Sequence, residues 1–238
     1  MSVPVGRRPG VADYVTIGNA LCGLAAIAAA TGLGAFATLT PTDRYRVTVL
    51  FVIIGTVLDM LDGMAARRWG STPLGPFLDG LADAVTFGVA PVVAVLALPI
   101  EPGPGGWVIL AAGAAAYAAA ALVRLADYLA HRQRDVGFRG VPTTSASIAA
   151  LALGVLFSAP VALGAGLAAL AALMVSPLPY PSGTRLAAVI VPGWVIGLCA
   201  LFGVFDQRVC AVLVLVIICV VVPLGTRARG FIAPDGSR

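Results

Sequence analysis

Asp59-Met60-Leu61-Asp62-Gly63-Met64-Ala65-Ala66-Arg67-Arg68-Trp69-Gly70-Ser71-Thr72-Pro73-Leu74-Gly75-Pro76-Phe77-Leu78-Asp79-Gly80-Leu81-Ala82-Asp83 decides how this 238-residue chain is read. It places four of the eleven acidic residues within 25 positions of a sequence that is otherwise 60% hydrophobic. Asp59 and Asp62 are three residues apart, and Asp79 and Asp83 are four apart. On helices, each pair therefore falls on one face. The short Gly- and Pro-rich link between the pairs makes the two helices antiparallel neighbours, so the pairs can face each other across a bundle.

Outward from this stretch the sequence turns apolar on both sides. Mean hydropathy is +1.00, and charged residues make up 11% of the chain. A water-soluble domain carries about 25% charged residues, so that class is excluded. Disorder is excluded as well, because a solvated chain carries far less apolar material. A membrane span needs about 20 apolar residues. Apolar runs near 14–35, 45–66, 77–99, 107–130, 142–158, 161–178, 186–204 and 209–224 predict an all-α polytopic transmembrane bundle of about eight spans. The whole chain, 1–238, is then a single integral membrane domain. Pro41-Thr42-Asp43, the run Pro102 to Gly106, Ser158-Ala159-Pro160 and the run Pro177 to Gly183 mark the breaks. The first apolar run is expected to be a retained helix rather than a cleaved signal peptide.

All fifteen basic residues are Arg, and the net charge is +4. With both termini in the cytoplasm, Arg7, Arg8, Arg67, Arg68, Arg124, Arg132, Arg134, Arg139, Arg185, Arg227, Arg229 and Arg238 fall on the cytoplasmic side. Arg44, Arg46 and Arg208 fall on the other. That bias follows the positive-inside rule and puts the acidic stretch at the cytoplasmic face. Anionic headgroups or substrates are the expected neighbours of such a charge, and no domain is left over to bind nucleic acid. Cys22, Cys199, Cys210 and Cys219 stand singly in apolar runs and read as small hydrophobes.

A charge at the centre of a span costs at least about 2.5–3.5 kcal/mol, so four converging carboxylates require neutralisation. Hard oxygen donors suit Mg²⁺ or Mn²⁺, and two ions can share four carboxylates. Interfacial charges snorkelling to water, or a cation pathway, would explain the acids alone. Gly63 and Ala66, three apart, open a close-approach surface, and Arg67 can meet a phosphate bidentately. Together these features describe a site for a nucleotide diphosphate.

The pattern Asp59-x2-Asp62-Gly63-x2-Ala66-Arg67-x7-Gly75-x3-Asp79-x3-Asp83 resembles the full signature of the CDP-alcohol phosphotransferases. These are integral membrane enzymes that transfer a phosphatidyl-type group from a CDP-linked lipid to an alcohol and release CMP. The resemblance implies a six-helix core, to which this chain adds two spans. It implies that Asp59, Asp62, Asp79 and Asp83 hold two divalent ions, with Asp83 as general base. Gly63, Ala66, Arg67 and Gly75 would surround the CDP moiety, and a homodimer is implied. Asn19, a polar residue within an apolar span, is a further CDP-binding candidate, with a helix-packing hydrogen bond as the alternative.

Asn19-Ala20-Leu21-Cys22-Gly23, Leu81 to Pro91, Arg124-Leu125-Ala126, Phe138-Arg139-Gly140-Val141-Pro142 and Tyr180-Pro181-Ser182 resemble bacterial and archaeal phosphatidylserine synthases, in that family's order. This implies CDP-diacylglycerol and L-serine as substrates and the cytoplasmic membrane as location. Arg124 and Arg139, from a cluster beside the same cytoplasmic face, are candidates to bind the acceptor's carboxylate or a lipid phosphate, or else are topology-setting charges on anionic lipid. Gly80, Asp127, Leu129 and Pro179 depart from that family, which usually has Ser, Arg, Asn and a basic residue there. A sister transferase acting on glycerol phosphate, inositol phosphate or an amino alcohol therefore stays open. Tyr117, within an Ala run, reads as bundle packing, and His131 as a solvated loop residue.

Overall fold

A computed structural model describes residues 10–70, 72–100, 103, 105–131, 140–178, 180 and 184–224. Most of the described residues are helical, with no strand among them. Helix α1 (Val11–Thr31) starts at extended Gly10, whose N–H donates to Asp13 Oδ2 at 2.8 Å. An acid three residues into the helix here answers an orphan first-turn donor. α1 stops at Gly32 in the left-handed region, φ 71°.

After a 3₁₀ turn (Gly34–Thr38), α2 (Pro41–Trp69) opens with Pro at its first position. Its Thr40 cap accepts from the Asp43 N–H at 3.2 Å. α3 (Gly75–Asp83) runs through a π-helical segment (Ala84–Val89) into α4 (Ala90–Leu96). Then follow α5 (Gly106–His131), α6 (Thr143–Leu156), α7 (Pro160–Met174), α8 (Thr184–Leu201) and α9 (Gln207–Val216), which continues as a π turn to Val221.

Five of these stretches are long and apolar enough to cross a membrane: Val11–Thr38, Pro41–Trp69, Gly75–Leu96, Gly106–Ala130 and Gln207–Leu224. The expected eight spans are not all of that length. α6 and α7 have 14 and 15 residues, or about 21–23 Å at 1.5 Å per residue, against a hydrocarbon core of about 30 Å. The expected break at Ser158-Ala159-Pro160 is present, with Pro160 opening α7. The terminal arginines on which the orientation argument leaned (Arg7, Arg8, Arg227, Arg229, Arg238) lie outside the described residues, as do Arg132, Arg134 and Arg139.

Large apolar side chains such as Leu21, Leu24, Val108, Leu122, Val123 and Val161 are exposed. In water this surface would favour association, whereas in acyl chains it costs nothing. The interior is built from Tyr117, Phe87, Leu110, Leu163, Leu167 and Met174, all fully buried. α5 and α7 meet backbone to backbone: a Cβ on Gly113 would stand 2.7 Å from Gly164 Cα, the small-residue contact by which helices associate in lipid.

The π segment has a local cause. Pro91 has no N–H to give to the carbonyl four residues back, at Phe87. The Tyr117 hydroxyl donates to that carbonyl instead, at 3.1 Å, so the residue expected as plain packing also repairs the helix just beyond Asp83. Tyr117→Phe leaves a buried carbonyl without this donor, at a cost of about 1–3 kcal/mol. A melting temperature lower by about 2–4 °C per kcal/mol, measured in detergent, is the expected result.

Candidate metal and active site

α1 packs along α2 and α3, and the polar residues of all three gather at one end of the bundle. One carboxylate oxygen each from Asp59, Asp79 and Asp83 lies within 4.8 Å of the others, and all three residues are half-buried. Asp59 comes from the last third of α2 and the other two from successive turns of α3, which is the antiparallel juxtaposition the spacing predicts. Asp62 lies outside this trio. It is 6% exposed and its Oδ2 accepts from the Thr16 hydroxyl on α1 at 2.7 Å. It remains near enough to act electrostatically on Asp59 and Asp83.

Two like charges about 4 Å apart repel by about 4 kcal/mol at an effective dielectric of about 20. A half-buried trio therefore calls for a counter-charge. Oxygens bound to one Mg²⁺-sized ion at about 2.1 Å lie about 3.0 Å apart when adjacent and about 4.2 Å apart when opposite, so the trio, already within 4.8 Å, closes on an ion by side-chain movements on the order of an ångström. The donor set fits a hard divalent ion.

Asn19 was expected to meet CDP; in the structure it meets the general-base candidate. It is fully buried, and its Nδ2 donates to Asp83 Oδ1 at 3.1 Å. Its backbone carbonyl accepts from the Thr86 hydroxyl at 2.9 Å, tying α1 to the π segment. Two glycines make room for this junction. A Cβ on Gly55 would stand 2.6 Å from Thr86 Cγ2 and 2.9 Å from Asn19 Oδ1, and one on Gly23 would stand 2.9 Å from Thr86 Cα. Gly55→Ala must displace Asn19 or Thr86, and overpacking of this kind costs about 1–3 kcal/mol. Transfer activity is expected to fall about tenfold or more, read as CMP released per mole of folded protein.

Of the residues expected around CDP, Gly63, Ala66 and Gly75 are half-buried and Arg67 is exposed. Arg67 Nη1 lies 3.5 Å from where a Gly63 Cβ would be, so the guanidinium folds back over that glycine. The Gly75 N–H donates to the Thr72 hydroxyl at 3.0 Å. Arg124 Nη1 donates to the Met174 carbonyl, at the end of α7, at 2.9 Å. α5 runs antiparallel to α3: Gly80 lies against Leu129 and Gly88 against Ala121. That register sets Arg124 at the depth of the residues just after Asp83. Arg139 lies outside the described residues, and of His131 the backbone alone is described. A Cβ on Gly80 would stand 2.8 Å from Leu129 Cδ1, so two of the four departures from the synthase pattern touch and amount to one packing change.

Sequence reasoning did not single out Asp13, Thr16, Thr72 or Thr86. The first two carried a signal. Asp13, Thr16 and Asn19 fall three apart in an apolar helix, a polar stripe on one face, and each is buried.

Apolar helices that gather three carboxylates at one end of the bundle define a helical membrane protein with a divalent-metal-competent acidic site. The chain belongs to the CDP-alcohol phosphatidyltransferase family, whose sequence model matches residues 10–178. It is 31% identical over 175 residues to the CDP-diacylglycerol–serine O-phosphatidyltransferase of Bacillus subtilis, covering 73% of this chain and 91% of that one. The Saccharomyces cerevisiae protein of the same name is 38% identical over 97 residues, 40% of this chain and 34% of that one. That of Mycobacterium leprae is 41% identical over 64 residues, 26% and 21% of the two chains.

Proposed function

We propose that the protein transfers the phosphatidyl group of CDP-diacylglycerol to the hydroxyl of L-serine, giving phosphatidylserine and CMP. The observation that carries this reading is the Asp59–Asp79–Asp83 trio with Asn19 on Asp83. The name of the Bacillus subtilis relative, aligned over 73% of the chain, supplies the substrates. Asp59, Asp62, Asp79 and Asp83 would hold two ions, Mg²⁺ or Mn²⁺, which when bound neutralise the pyrophosphate and stabilise the entering and leaving oxygens.

Asp83 takes the proton of the acceptor hydroxyl as that oxygen bonds to the lipid-side phosphorus. The bond from that phosphorus to the bridging oxygen breaks, and CMP leaves. Gly63, Ala66 and Gly75 form the close-approach surface for CDP, and Arg67 answers phosphate. Arg124, at the depth of Asp83, and Arg139 bind the acceptor's carboxylate. One integral membrane domain spans 1–238 in about eight crossings. It lies in the cytoplasmic membrane with both termini and the site on the cytoplasmic side, and works as a homodimer among membrane lipids.

The test is CMP release from CDP-diacylglycerol in detergent against a panel of acceptors. Release stimulated by serine is the expected result. Stimulation by glycerol phosphate, inositol phosphate or an amino alcohol alone would overturn the serine assignment within the same family. Absence of release with every acceptor would overturn transfer itself.

A further inference from the structure

The first turn of α1 touches the acidic stretch at a point that none of the roles above uses. Asp13 is 2% exposed. One of its oxygens accepts from the Gly10 N–H at 2.8 Å, an ordinary cap. Both oxygens also accept from the Thr72 hydroxyl, at 3.1 and 2.9 Å. Thr72 lies in the link between α2 and α3, and its oxygen accepts in turn from the Gly75 N–H at 3.0 Å. Gly75 is the first residue of α3, and Asp79 follows one turn later on the same face. The chain of bonds thus runs from the start of α1, through one hydroxyl, to the helix end that fixes where Asp79 and Asp83 stand relative to Asp59.

Helix α1 also supplies Thr16 to Asp62 and Asn19 to Asp83. Among the described residues, Thr16 and Asn19 each bond a carboxylate of the site, whereas the hydrogen bonds of Asp13 beyond its own turn go to the link. A cap requires only the Gly10 contact. The Thr72 contact joins residues 59 positions apart and is what a purely local role leaves unexplained.

We infer that Asp13, acting through Thr72, is a positioning residue. It sets the offset between the two acid-bearing helices, and hence the affinity of the acidic site for a divalent ion. The inference rests on the metal-site reading above. Its effect should appear in ion affinity and not only in turnover, because an ion shared by oxygens of two helices, each held at about 2.0–2.1 Å, tolerates little displacement of one helix.

The experiment measures Mn²⁺ binding by calorimetry to the full-length protein in detergent, together with the melting temperature without metal, for wild type, Asp13→Ala, Thr72→Val, the double variant and Thr72→Ser. Asp13→Ala and Thr72→Val are each expected to weaken Mn²⁺ binding about tenfold. The double variant should be no worse than either alone, since the two act through one bond, and Thr72→Ser should restore affinity close to wild type because it keeps the hydroxyl. Thr72→Ser separates positioning from general loosening, as it removes a methyl but not the bond. Wild-type affinity in Asp13→Ala, or losses that add fully in the double variant, would overturn the positioning role while leaving the metal site standing. Absence of Mn²⁺ binding to the wild type would overturn the metal site and this role together.

Discussion

Asp83→Asn is expected to cut CMP release by at least about a hundredfold, and by as much as about ten-thousandfold, the range a positioned general base contributes. CDP-diacylglycerol should still bind. Asn19 Nδ2 donates to Asp83 Oδ1, and Asn19 is itself fixed by Thr86 and enclosed by Gly55 and Gly23. An asparagine at 83 would keep that bond by turning its own oxygen to Asn19. Its amide NH₂ then faces the site, a donor where an acceptor of the hydroxyl proton is required. The substitution preserves volume, so the fold has no reason to fail, and an unchanged melting temperature checks this. Asp59→Asn provides the contrast: each variant takes one carboxylate from the trio, but Asp83→Asn alone changes the group that Asn19 holds. Turnover at the wild-type rate in Asp83→Asn would refute the base assignment.

The acidic pairs were legible because helical spacing is a local property: three- and four-residue steps put side chains on one face whatever surrounds them. The same rule does not say which way a face turns. Asp62, paired with Asp59 by spacing, is drawn to Thr16 because α1 packs against that side of α2, a tertiary fact absent from the spacing. Asn19 stood out as a polar residue in an apolar run, yet its partner could not be read, since 64 positions separate it from Asp83. Asp13, not singled out by the sequence, caps the start of α1, and its contact with Thr72 depends on where the link between α2 and α3 lands.

The alanines around Tyr117 read as packing and conceal its hydrogen bond; the signal in the sequence is Pro91, which withholds a donor from Phe87. The segmentation into helices followed apolar runs and breaks, and these located the α6–α7 junction at Pro160. Hydropathy gives composition and not helix length, however, so the 14 and 15 residues of that pair emerged only with the coordinates.

Stripping divalent ions with excess chelator is expected to abolish transfer, and added Mg²⁺ or Mn²⁺ to restore it. Three carboxylates held this close repel one another and any approaching pyrophosphate, so without a counter-charge the binding face carries the wrong sign for its substrate. Ca²⁺ should restore little. It prefers six to eight oxygens, a more populous shell than one oxygen from each of three aspartates affords. The ion should also stabilise the fold. Binding to the folded state alone contributes about 2.7 kcal/mol when free ion exceeds the dissociation constant a hundredfold, so the melting temperature should rise with Mn²⁺ in the wild type and scarcely move in Asp59→Ala/Asp79→Ala. The two readouts fail separately. Full turnover under chelator would remove the metal from the chemistry, whereas a melting shift surviving in the double variant would move the ion to another site.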